Sequence, residues 1–113
     1  MTTANAGSII TFSTRYEFYD EQKNYTATYK FLVLSVVLPL KNSDDGYSQY
    51  VIYNVKYVGQ NTIYNWGTPI ISGTISELLL YYDYDRYTGK LTGNRVRMTG
   101  GSGLDPISNL QIS

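Results

Sequence analysis

Carboxylates, tyrosines and a single tryptophan are the side chains of this chain whose types and spacing suggest chemistry. Histidine and cysteine are both absent. Their absence excludes disulfide scaffolds, zinc sites built from Cys and His, thiol nucleophiles and catalytic triads that use imidazole as the base. We therefore assign no catalytic residue, no metal ligand and no cofactor, and we predict that the protein is not an enzyme.

Asp83 and Asp85 are two closely spaced carboxylates on one face of a predicted strand, with Gly89 nearby. Calcium binds sets of closely spaced oxygen ligands. Position 87 is Tyr, however, and no bidentate acid completes the loop. The pattern favours aspartates that cap a turn over a calcium site.

Tyrosine is the strongest anomaly in the composition, with 13 of 113 residues. Tyrosines cluster between positions 81 and 87 and again along positions 47 to 57. Their large rings, polar tips and low rotamer entropy suit binding surfaces, and the same rings can simply pair across strands and hold a sheet together. A carbohydrate-binding site would use the following stacking rings and polar partners: Trp66, Tyr81, Tyr82, Asp83, Tyr84, Asp85 and Tyr87.

A long uncharged stretch points to a contact with another molecule. Between Gly46 and Ser76 the only charged residue is Lys56. Exposed strands of a small domain normally carry charges, so this stretch predicts burial against another chain or against an uncharged ligand such as a sugar. The candidate interface residues are Tyr50, Ile52, Tyr53 and Tyr57.

Alternation of apolar and polar residues with period two predicts the elements that must position these side chains. The predicted strands cover residues 10–18, 25–38, 47–58, 62–66, 68–75, 75–84, 91–99 and 107–112. The segment 75–84 also matches helical spacing, although its tyrosines favour a strand. The run 31–38 is apolar on both faces, which predicts a strand buried on both sides, beneath a cover or in an interface.

Six to eight short strands separated by polar turns are typical of an all-β fold. We predict a single antiparallel β domain spanning residues 1–113, either a β-sandwich or a small β-barrel. Nine basic and nine acidic residues balance to zero net charge, so nucleic acid is not an expected partner. The longest apolar run is about half the length of a membrane span. No signal peptide is visible, which favours cytoplasmic synthesis or a virion component over secretion.

Three functions fit these features. The first is a self-associating structural subunit, of the virion, tail or cell-surface type, that forms a homo-oligomer through its neutral Tyr-rich surface. The second is a small lectin-like module that binds carbohydrate. The third is a β-barrel that holds a small apolar ligand in its interior.

Overall fold

The protein is all-β in a computed structural model that describes residues 3–18, 23–65, 68–99, 101 and 103–113. The described residues contain strands and no helix, because apolar side chains recur mainly at every second position. The strands are β1 (Ile9–Phe18), β2 (Lys23–Asn42), β3 (Ser48–Tyr57), β4 (Ile63–Asn65), β5 (Thr68–Ile70), β6 (Ile75–Tyr84), β7 (Leu91–Met98) and β8 (Asp105–Ile112). The predicted fold class is confirmed.

Six of these strands close into an antiparallel barrel in the order β1-β2-β3-β6-β7-β8. The barrel closes where β8 returns to β1, with Ile10 opposite Ile112. The short strands β4 and β5 form a separate two-stranded sheet. Of the two predicted architectures, the structure therefore shows the barrel.

The segment Ile75–Tyr84 is a strand, as its tyrosines favoured, and the helical alternative is wrong. It lies as β6 between β3 and β7, with residues 75–83 paired to β3 and residues 78–84 paired to β7. In this position Leu78, Leu80 and Tyr82 point inward, so their burial follows from strand alternation.

The barrel interior is filled by the inward-facing side chains of the strands. Phe12, Tyr29, Phe31 and Tyr57 contact one another with ring centroids between 5.0 and 6.0 Å apart. Such tilted and offset aromatic pairs add stabilisation beyond the area that they bury. The aliphatic members of the core are Ile10, Val33, Val51, Val55, Leu78, Leu80, Val96 and Met98.

Chain segments outside the barrel wall cover part of both barrel ends. At the end where β3 finishes, the β4–β5 sheet buries Ile63 and Ile70, and the Tyr29 hydroxyl donates to the Tyr64 carbonyl at 3.0 Å. Near the opposite end, Ala4 is buried and its backbone N–H donates to the Tyr53 hydroxyl at 2.9 Å. The walls and these covers together form one hydrophobic core.

Candidate functional site

β2 has 20 residues and β1 has 10, and this mismatch leaves part of β2 without a neighbour on one side. Their pairing runs from Phe18 opposite Lys23 to Ile9 opposite Leu32. It continues by one residue, because the Val33 N–H donates to the Ser8 carbonyl and the Gly7 N–H donates to the Val33 carbonyl. Beyond that point β2 pairs with β3, and no described residue pairs with its other side. We call this nine-residue segment, Leu34–Asn42, the free edge.

The free edge carries apolar side chains that are exposed to solvent. Leu34 is 37% exposed, Val36 39% and Val37 50%. The prediction that run 31–38 is covered on both faces is therefore wrong for a single chain, because only the inward Phe31 and Val33 are buried. The alternative given with it, an interface with another molecule, stays open. Natural edge strands are normally blunted by charges, prolines or bulges, and here the first charge is Lys41, while Pro39 and three register shifts against β3 interrupt the segment.

The predicted interface residues lie on two different sides of the barrel wall. Tyr50 and Ile52 point outward on β3 and are half-buried, with Ile52 opposite Leu38 of the free edge. Tyr53 and Tyr57 point into the barrel and are 0% and 1% exposed. Their assignment to an intermolecular contact is corrected, because alternation turns them toward the core.

Aromatic and charged side chains form a row across the outer face of β2, β3, β6 and β7. The Tyr50 and Tyr81 rings stack with centroids 5.1 Å apart and an interplanar angle of 12°. Lys41 Nζ lies 5.7 Å from the Tyr50 ring centroid, and the Arg95 guanidinium lies 5.1 Å from that of Tyr81. These cation–π and stacking contacts fix the orientation of both rings.

Asp83 anchors one end of this row. It accepts two hydrogen bonds from Arg95, at 2.7 and 2.8 Å, and one from the Ser48 hydroxyl at 2.7 Å. The bonds from Arg95 hold the pKa of the Asp83 carboxyl below its usual range, and the same pairing raises the pKa of Arg95. With all these partners, Asp83 is a structural carboxylate that orients Arg95 over Tyr81.

An open depression of about 480 Å³ lies at the barrel end where the β2–β3 turn and the β6–β7 hairpin meet. Tyr47, which is 44% exposed, lines it beside the amides of Asn42 and Gln49. The Arg86 guanidinium lies 5.0 Å from the Tyr47 ring centroid and 5.2 Å from that of Tyr87. This depression therefore combines exposed rings with hydrogen-bonding side chains, the features that a sugar site needs.

The structure divides the predicted carbohydrate-binding residues among several places. Tyr84 and Asp85 line the depression, and Tyr87, 85% exposed, lies on the hairpin beside it. Tyr81 and Asp83 belong to the row on the outer face. Tyr82 is 3% exposed in the core, so its assignment as a binding residue is corrected. Trp66 lies outside the described residues.

Asp85 closes the β6–β7 hairpin. Its Oδ1 accepts hydrogen bonds from the backbone N–H groups of Tyr87 and Thr88, both at 2.8 Å, and Gly89 takes the positive φ of 70° that the turn requires. These bonds hold the pKa of the Asp85 carboxyl below its ordinary value. Among the described residues, no three acidic side chains come together in a group that could hold a metal ion.

The sequence placed run 31–38 beneath a cover or in an interface but did not show that one side of Leu34–Asn42 is unpaired, and it did not identify Tyr47 and Arg86 as residues of the depression. The unequal lengths of the first two predicted strands, 10–18 and 25–38, already indicated the free edge. A short turn between the first two strands fixes their register, so the longer second strand must continue past the start of the first.

Comparison of the chain with protein-family models, with curated proteins and with solved structures gave no significant match. No helix in the described part of the chain has the length and apolar content needed to cross a membrane.

Proposed function

We propose that this protein is a non-enzymatic assembly module that associates with itself through the free edge and the outward residues beside it. The observation that carries the proposal is the exposure of Leu34, Val36 and Val37 on a segment of β2 that pairs with β3 on one side and with no described residue on the other. An unpaired strand edge exposes rows of backbone donors and acceptors, and such an edge pairs readily with another chain.

The side chains next to the free edge extend the proposed contact across β3. Ile52 lies opposite Leu38 and Tyr50 lies opposite Lys41, so both residues adjoin the free edge on the outer face. Leu79 continues the apolar area because it pairs with Ile52 from β6. Aromatic and aliphatic side chains with few charges are typical of the centre of a protein–protein interface.

Light scattering on a sizing column tests this function. We expect a mass that is a multiple of 12.8 kDa for the unmodified chain. We expect Val36→Lys to dissociate at a protein concentration at least tenfold higher, because the added charge must lose its water when the edge is covered. Val37→Asp is a second variant at the same edge. A monomer at every concentration would overturn the proposal.

Ile71→Lys is the matched control. Ile71 is 59% exposed and follows β5, away from the free edge. It places the same charge on an apolar position that is also exposed, 59% against 39% for Val36, so we expect the mass and its dilution profile to stay as in the unmodified chain. Circular dichroism of each variant establishes that the barrel is folded.

A lectin-like function is the second candidate, and the depression favours it. Tyr47 and Tyr87 offer exposed ring faces, and the amides of Asn42 and Gln49 offer partners for sugar hydroxyls. A glycan screen followed by titration tests it. We expect Tyr47→Ala and Tyr87→Ala to weaken sugar binding at least tenfold, while Tyr64→Ala, which removes a 48% exposed ring at the other end of the barrel, leaves it unchanged. Equal binding by all three variants would contradict this candidate.

The third hypothesis, a barrel holding a small apolar ligand, gains no support from the described core. The lumen is occupied by the rings of Phe12, Tyr29, Phe31, Tyr53 and Tyr57, all at most 4% exposed. A ligand would have to displace these packed side chains, and overfilling a close-packed interior is destabilising.

A further inference from the structure

We propose that the free edge of one chain pairs with the free edge of a second copy, antiparallel and about a two-fold axis at Leu38. This inference rests on the proposed self-association and adds its geometry.

The limits of the free edge determine the register. At one end the backbone of Val33 is already paired, because its N–H donates to the Ser8 carbonyl. At the other end the β2–β3 turn begins at Ser43, whose N–H donates to the Ser48 carbonyl. A second strand centred on Val36 would bring its own Pro39 opposite Val33 and collide with Ser8. A strand centred on Leu38 spans Leu34–Asn42 in both copies and avoids β1 in both.

The side chains are compatible in this register. Leu38 lies opposite its own copy, and Val36 lies opposite Leu40, so apolar residues meet at the centre. The only charged residue of the free edge, Lys41, lies opposite Ser35. Like charges directly opposite each other destabilise a strand pair. This register contains no such pair.

The backbone of the free edge is consistent with an exposed edge that accepts one more strand. Three register shifts against β3 lie between Val33 and Lys41, and they take up the extra residues of β2 on the β3 side. Pro39 lacks an N–H, so opposite Val37 of the second copy it contributes only its carbonyl, and the other residues of the free edge must supply the donors.

A two-fold contact of this kind is isologous, so the same surface is used by both partners and the assembly closes. Each chain has one free edge of this length among its described strands, and pairing covers it. The structure therefore assigns the product of self-association as a dimer, with a continuous sheet that runs β6-β3-β2 into β2-β3-β6 of the second copy.

Cysteine cross-linking tests the register directly, because the chain contains no cysteine of its own. Directly opposed residues of antiparallel strands have Cα atoms about 4.5–5.5 Å apart, within the range that a disulfide spans. The Leu38→Cys variant is therefore expected to form a disulfide-linked dimer under copper-catalysed air oxidation, seen on a non-reducing gel.

The controls use two positions, each of which lies opposite the other, and not opposite its own equivalent, in the second copy. Leu34→Cys alone and Asn42→Cys alone are expected to cross-link at least tenfold more slowly than Leu38→Cys, while an equimolar mixture of the two forms a mixed dimer. Ile75→Cys, 63% exposed and away from the free edge, reports random collision.

The outcomes separate the pairing geometry from the proposed function. An oligomer in light scattering that shows no preferential cross-linking at Leu38 would overturn the pairing and leave self-association standing. Self-cross-linking of Leu34→Cys as fast as that of Leu38→Cys would overturn the register. A monomer at all concentrations would overturn both proposals.

Discussion

The tyrosines of β3 and β6 take opposite roles according to the side of the strand on which they lie. Tyr50 and Tyr81 point outward and stack on each other, and Tyr53 and Tyr82 point inward and are 0% and 3% exposed. Burial raises the pKa of Tyr53 and raises that of Tyr82 to about 12, with Tyr53 and Tyr84 adding to the effect on Tyr82. A buried tyrosine in this protein is thus held in its neutral form far into the alkaline range.

Alkaline unfolding tests the burial of Tyr82. The unfolded chain releases this proton near pH 10 and the folded chain near pH 12, so stability is complete below about pH 10 and falls as the pH rises through 12. We expect the free energy of unfolding of Tyr82→Phe to fall less steeply with pH than that of the unmodified chain. The two slopes should differ by at most about 1.4 kcal/mol per pH unit, in urea unfolding measured between pH 9 and pH 12.

Tyr87→Phe is the comparison variant, since it removes a hydroxyl from a ring that is 85% exposed. We expect its pH profile to follow that of the unmodified chain. A Tyr82→Phe profile that is equally steep would show that Tyr82 ionises alike in the folded and unfolded chain, against the burial described here.

At the scale of the elements, strand existence was predictable because alternation is a local property. β1, β3 and β6 match their predicted limits within two residues, and the turn at Asp85–Gly89 was marked by its own sequence. Exposure was less predictable, because it depends on which strand lies beside which. The run 31–38 has the composition of a strand covered on both faces, yet β1 begins opposite Leu32 and leaves the run beyond Val33 without a described neighbour on that side.

The end of β3 depends on a glycine whose position leaves no room for a side chain. The Tyr57 ring lies over Gly59, and its hydroxyl donates to the Asn61 carbonyl in the loop that leads to β4. A Cβ at position 59 would overlap the Tyr57 ring. The loop and the aromatic core at this end of the barrel are therefore coupled.

Gly59→Ala is expected to destabilise the protein by about 1–3 kcal/mol, the usual cost of forcing a packed ring aside. Urea unfolding measures the change. Gly93→Ala in β7 is the control, because nothing lies within 4 Å of its added Cβ, and we expect it to alter stability by less than about 0.5 kcal/mol. Equal effects of the two variants would contradict the contact between Tyr57 and Gly59.

At the scale of the whole molecule, closure of the barrel pairs most strand edges, and the free edge is the longest described segment that is left without a neighbour on one side. Five of the six barrel strands have 8 or 10 residues and β2 has 20, so the wall cannot cover β2 along its full length. The molecule has no net charge to oppose the approach of a second copy. Neutrality and a free apolar edge together favour association over a free monomer.

The division of the predicted sites also has its origin at this scale. The stretch 81–87 crosses from the barrel wall into the hairpin, so its tyrosines reach the core, the outer face and the barrel end in turn. No local sequence pattern distinguishes these three locations. Alternation assigns residues to the two faces of a strand, but it does not show which face lies inside the barrel. The depression at the barrel end depends on two turns that are distant in the chain and meet only when the barrel closes.

Solution mass by light scattering across a tenfold dilution tests the central claim most directly. Self-association through the free edge predicts twice 12.8 kDa for the unmodified chain and a shift toward 12.8 kDa for Val36→Lys at the same concentrations. A mass of 12.8 kDa for the unmodified chain at every concentration would contradict it.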